Sequence, residues 1–143
     1  MPAKSGPIST ITPKAYDPLV KFITIARTDT TAFQAFTLPK GAIPVGYYVL
    51  GRVASDAATT ATLDIGTTAT ANELVASYDV KTAATATGYN VVGAKAVGAV
   101  IGVAVTVDTP VFAKYTETGT ASSTGGPWLV KFEYLLTGPG ETL

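Results

Sequence analysis

Between Phe36 and Tyr78 the chain passes through three extended segments, apolar or alternating, and each is ended within a few residues by Pro, Gly, Asp, Ser or Thr. None of the intervals leaves room for a helix of ordinary length, so strand, turn and strand must follow one another closely. The same punctuation runs on in both directions.

Residues 20–27 set Lys21, Ile23, Ile25 and Arg27 against Phe22, Thr24 and Ala26, with both faces partly apolar. Residues 28–31 read as a turn, because Asp and Thr side chains bond nearby backbone amides. A short strand over 32–38 is stopped by Pro39-Lys40-Gly41. Residues 43–53 place Ile43, Val45, Tyr47, Val49 and Val53 opposite Tyr48, Leu50 and Arg52, with Gly46 and Gly51 as bends or bulges. In 60–66 Leu63 and Ile65 point inward, and Thr62 and Asp64 outward. In 74–80 Leu74, Ala76, Tyr78 and Val80 oppose Val75, Ser77 and Asp79.

Residues 81–88 are small and polar, a loop, and 89–92 resume extended structure. Over 96–107 one face is large (Val97, Ile101, Val103, Val105, Val107) and the other small, which predicts a strand that another backbone can approach closely. Pro110 opens a strand over 111–118, at the position where its missing donor does least harm. After a Gly/Ser/Thr loop over 119–127, residues 128–136 give the clearest strand: Trp128, Val130, Phe132, Tyr134 and Leu136 form one wall, and Lys131 and Glu133 face away. Eight or so strands, regular turn signals and no amphipathic helix predict an all-β antiparallel β-sandwich. A jelly roll is the leading topology and an immunoglobulin-like one the second.

The length, 143 residues, predicts one domain over 20–143 with a single core. Residues 1–19 carry Pro2, Pro7, Pro13 and Pro18, a spacing that prevents a regular helix or central strand and predicts an extended N-terminal arm. Ile8, Ile11, Lys14, Tyr16 and Leu19 are its candidate contact residues toward a neighbouring subunit or shell, since a solvated tail has little use for the apolar ones.

Charge narrows the function further. Ten basic residues balance ten acidic ones, so no net field is available to hold a nucleic acid. There is no Cys and no His, which removes disulfides, thiolate nucleophiles, the usual zinc sites and the commonest general base. The first residues lack the apolar core of a secretory signal, so synthesis in the cytoplasm is expected. The apolar run over 96–107 is too short to span a bilayer as a helix, and no membrane partner is expected. Ala and Thr make up about a third of the chain, which favours thin, closely stacked sheets.

Catalytic chemistry has little to draw on. Asp56, Asp64, Glu73, Asp79 and Asp108 occur singly, several beside turns, where a carboxylate ordinarily caps a backbone group. The lysines are scattered, and no Ser-x-x-Lys occurs. Gly98 and Gly102 have the spacing of a membrane-helix dimer, which has no meaning on a strand. The glycine-rich loop at 119–126 lacks the Gly-Lys-Ser/Thr of a phosphate cradle. Asp56 and Asp64 bracket one turn and are the candidates for calcium, but the spacing of a calcium loop is absent. Trp128 with Tyr47, Tyr48, Tyr89 and Tyr115 would form a sugar platform if exposed; the place of Trp128 in an alternating strand predicts burial. No enzyme, cofactor or metal is expected.

The segments Phe36-Thr37-Leu38-Pro39-Lys40-Gly41-Ala42 and Thr62-Leu63-Asp64-Ile65-Gly66-Thr67-Thr68, with Ala71-Asn72-Glu73-Leu74 and Asp79-Val80-Lys81-Thr82-Ala83, resemble small virion structural proteins of tailed bacteriophages. These are the head decoration or cement proteins and their jelly-roll relatives. The resemblance implies a β-sandwich on the outer surface of a capsid, bound to the major capsid protein, commonly as a homotrimer, that braces the shell against packaged DNA. It carries over no catalytic residue. A tail, fibre or neck subunit of the virion and a carbohydrate-binding module are the alternatives.

Overall fold

In a computed structural model of the chain, residues 18–51, 53–70, 72–82, 90–91 and 104–136 are described. They form eight strands: β1 (Leu19–Ile25), β2 (Phe33–Leu38), β3 (Ala42–Gly51), β4 (Thr60–Gly66), β5 (Val75–Asp79), β6 (Asn90–Val91), β7 (Thr109–Thr118) and β8 (Trp128–Leu136). None of the described residues is helical.

The strands lie in two antiparallel sheets, ordered β1-β8-β3-β6 and β2-β7-β4-β5. The first strand pairs with the last, the second with the seventh, the third with the sixth and the fourth with the fifth. Rolling up one long hairpin produces this order, and it is compatible with the jelly roll expected from the sequence. It also places the two most strongly alternating segments, β8 and β7, in the interiors of their sheets.

Along β8, Trp128, Val130, Phe132 and Tyr134 are buried while the residues between them are half-buried; along β7, Val111, Ala113 and Tyr115 are buried. The two inner faces meet through rings: Phe36 against Phe132 at 5.6 Å, Tyr47 against Tyr78 edge-on at 6.0 Å, and Tyr115 stacked on Trp128 at 5.2 Å. Offset and edge-on ring pairs add to the area they bury. The core is one cluster drawing on both sheets.

Three local expectations need correction. Register shifts at residues 44–46 of β3, where a bulge at Gly46 was expected, so Tyr47 and Val49 point inward while Val53 lies beyond the strand and is exposed. In β5 strict alternation fails: Leu74 and Val75 are both buried, Ser77 has φ 54°, and the pairing shifts between Leu63 and Ile65. The Ser77 amide donates to Asp64 Oδ1 at 2.7 Å, so Asp64, expected to face outward into solvent, is buried holding this bulge. Of the strand expected over 96–107, residues 96–103 lie outside the described residues, and 104–107 are not a strand. Val105 exchanges backbone bonds with Gly41 and Ala42, whereas Val107 is exposed, because Asp108 Oδ1 accepts the Lys40 amide and turns the chain there.

Candidate functional site

The five carboxylates singled out in the sequence are the natural starting point, and each is committed to backbone. Asp56 Oδ1 accepts the Ser123 and Thr124 amides, both at 2.8 Å, and Oδ2 accepts the Ser123 hydroxyl at 2.6 Å. Glu73 accepts the Thr67 and Asn72 amides and the Thr68 hydroxyl. A side chain on Gly66 would run into Glu73 and the Asn72 amide, so only glycine lets that carboxylate fold back. Asp79 takes the Lys81 and Thr82 amides, and Asp108 the Lys40 amide. These are turn caps, as their isolated positions predicted. Asp56 and Asp64, the calcium candidates, serve different segments, and no group of three or more His, Cys, Asp or Glu among the described residues is arranged to hold a metal ion.

A second polar cluster ties the loops at one end of the sandwich. Tyr115, fully buried, shares a 2.6 Å hydrogen bond with the Ser55 hydroxyl and donates to Glu117 at 2.7 Å, while Glu117 accepts the Ser122 amide and Arg27 donates to the Ser122 carbonyl. Together with Asp56 these bonds clamp residues 119–127 onto residues 53–59. A cleft of about 280 Å³ beside them is lined by Thr59, Thr60, Thr62, Asp79, Lys81 and Thr82. Its charged groups are in use, with Lys81 Nζ donating to the Ala57 carbonyl and Asp79 capping its turn, so it offers no acid–base pair.

The clamp has a defined pH response. Hydrogen bonds from Ser123, then Thr124, hold the Asp56 carboxyl down at about 2, against an ordinary 3.8. Glu117 is lowered as well, first by Ser122. A depressed carboxylate contributes stability that is fully present above its unfolded pKa and is lost as pH falls through the folded one. The melting temperature is therefore expected to fall between about pH 4 and about pH 2, followed through the emission of Trp128, the sole tryptophan, which packs on Tyr115. Asp56→Asn is expected to flatten that fall; an unchanged profile would assign it to other carboxylates.

Among the described residues, the aromatic set proposed as a sugar platform is largely buried. Trp128 and Tyr115 are fully buried and Tyr47 nearly so, which leaves of that set the half-buried Tyr48, with Tyr89 outside the described residues.

What remains is the outer surfaces of the two sheets, and they differ in kind. Outside β2-β7-β4-β5, the register aligns Thr116 with Thr62 and Asp79, Lys114 with Asp64, and Thr118 with Thr60, a polar surface apart from Phe112. Outside β1-β8-β3, it aligns Phe22, Lys131 and Tyr48 in one row, and Thr24, Leu129 and Leu50 in the next. Phe22 is 63% exposed and Leu50 41%. The charges here neutralise each other: Lys131 pairs with Glu133 at 3.3 Å and lies 5.5 Å from the Tyr48 ring. On this face two exposed apolar side chains, with the half-buried Leu129 between their strands, flank an internally neutralised ion pair.

Of the contact residues expected from the sequence, Ile8, Ile11, Lys14 and Tyr16 lie outside the described residues. Leu19 opens β1 opposite Tyr134 and packs against its own core. Phe22 and Leu50 are not among the contact residues that the sequence points to. The signal for Phe22 was its parity, opposite Ile23 and Ile25 in a strand whose two faces both read as partly apolar.

Neither a family model nor a curated protein matches the chain. Among solved structures it is similar to the capsid asymmetric unit of cyanophage Pam1, with 21% identity, a TM-score of 0.49, and coverage of 96% of this chain and 100% of that one. A likeness of that degree carries no functional conclusion.

Proposed function

We infer that this chain is a non-enzymatic virion structural protein, a decoration or cement protein that binds the major capsid protein on the outer surface of a phage head. The observation that carries the reading is the outer face of β1-β8-β3, where Phe22 and Leu50 stand exposed around a neutralised Lys131–Glu133 pair. Attachment there depends on apolar burial with little electrostatic steering, in keeping with ten positive and ten negative charges overall. The five carboxylates considered, each spent on backbone, leave the described residues without a reacting pair. Residues 1–19 serve as the arm, reaching over a neighbouring copy in a homotrimer.

The test is to add the purified full chain to phage heads lacking it, and to follow co-sedimentation and the temperature at which the heads rupture. Saturable binding that raises the rupture temperature is expected. A labelled chain found only on tails, or no binding to any part of the virion, would overturn the reading. Binding to a glycan array through the same face would move it to the carbohydrate-binding class.

A further inference from the structure

Among the described residues each sheet ends in two edge strands. Two of these are interrupted: β2 shifts register between Gln34 and Phe36, and β5 is five residues long with a shifted register and the left-handed Ser77. Such breaks keep a row of unpaired backbone groups from recruiting another chain. β1 has none of them: seven consecutive residues pair with β8 in unbroken register, and among the described residues β1 is the terminal strand of its sheet. Exposed Phe22 sits at its centre. Lys21 and Thr24 are its other exposed residues, and an edge of unbroken register is a template for one more strand.

We propose that the outer edge of β1 accepts residues 8–12 of a second copy as an added strand. The inference rests on the reading of residues 1–19 as an intermolecular arm, and supplies its acceptor. The run Ile8-Ser9-Thr10-Ile11-Thr12 is the longest proline-free stretch of the arm and is rich in β-branched residues. Pro7 and Pro13 bound it, and proline within a sheet is tolerated on an edge. A strand added to β1 becomes the new edge, so those prolines cap the sheet and prevent further addition.

Length and direction favour a second copy over the same one. Pro18 fixes its own φ and biases Asp17 to an extended conformation, which works against a reversal just before β1. Residues 13–18, extended, cover about 20 Å. That is roughly the width of a four-stranded sheet at about 4.8 Å per strand, so the run reaches an adjacent molecule. Each copy then gives one arm and receives one, an arrangement that a closed ring of copies completes. A trimer satisfies it.

The chain has no cysteine, so a disulfide test has no background. In the full chain, Phe22→Cys is combined in turn with Ser9→Cys, Thr10→Cys and Ile11→Cys. Oxidation is expected to join separate chains, up to a covalent trimer on a non-reducing gel, in at least one combination. Phe22→Cys with Thr120→Cys, in the exposed 119–127 loop, is the control and should give none. Bridges formed only within one chain, or none in all three combinations, would overturn the proposal. Binding of the parent chain, with Phe22 intact, to phage heads is scored separately. Heads bound by the parent chain while the variants form no intermolecular bridges would sink the β1 edge and leave the virion reading intact; bridged trimers with no binding of the parent chain to any part of the virion would do the reverse.

Discussion

Trp128→Ala is expected to lower stability by about 3–5 kcal/mol, the cost of removing a large aromatic side chain from a packed interior. Against a total of about 5–15 kcal/mol for a domain, that takes about a fifth of the margin or more, with a fall in melting temperature of about 10–20 °C. The size follows from position. Trp128 is fully buried at the start of β8, aligned with Ile25 on one side and Gly51 on the other, and its ring stacks on Tyr115 from the opposite sheet. Tyr115 in turn anchors the loop clamp through Ser55 and Glu117. Trp128→Phe should be much milder, about 1–2 kcal/mol, because the indole Nε1 is buried without a hydrogen-bond partner and deleting it leaves no donor newly unsatisfied. Thermal melts of the two variants beside the parent protein decide it. A Trp128→Ala protein melting within a few degrees of the parent would show that the ring does not join the sheets.

Phe22→Glu with Leu50→Glu should behave in the opposite way, sparing the fold and abolishing attachment. Both side chains lie on the outer face of β1-β8-β3, so exchanging them should change stability by no more than about 0.5–1 kcal/mol. Docking would lose about 1.5–3 kcal/mol of apolar burial for each residue. Every 1.4 kcal/mol is about tenfold in affinity, so even the lower figure for the pair exceeds a hundredfold. Each new carboxylate would add a desolvation cost. The measurement is co-sedimentation with phage heads, with the melting temperature as control for folding. A doubly substituted protein that binds as tightly as the parent would move the docking face elsewhere.

Much of the fold was legible because strand signals are local. The two-residue period of 128–136 and 111–118 announced which side chains of β8 and β7 are buried, and no pairing information was needed for that. The role of Asp29 as a turn cap was legible for the same reason, since such a group bonds backbone in a neighbouring turn. Asp29 Oδ2 accepts the Ala26 amide at 2.7 Å. The partners of Asp56 were not legible, because the amides it caps lie 67 and 68 residues along the chain.

Asp64 marks where local reading stops. Its alternation with Leu63 and Ile65 gave the correct side of the sheet, but burial came from the β5 bulge, whose Ser77 amide it holds. The distinction between the two outer faces was equally hidden. Phe22, Lys131 and Tyr48 come from three separated segments and form a row only because β8 lies between β1 and β3.

By itself the order of residues determined the extended character of the chain, the placing of its turns, the inward wall of each long strand and the lack of residues for common catalysis, since each depends on neighbours within a few positions. Only the tertiary structure decided which strands end a sheet, where register shifts, and which outer surface stays apolar. Those outcomes arise from pairing between segments as much as 115 residues apart, as between Leu19 and Tyr134, and cross-strand partners at that separation leave no periodic mark in either segment alone.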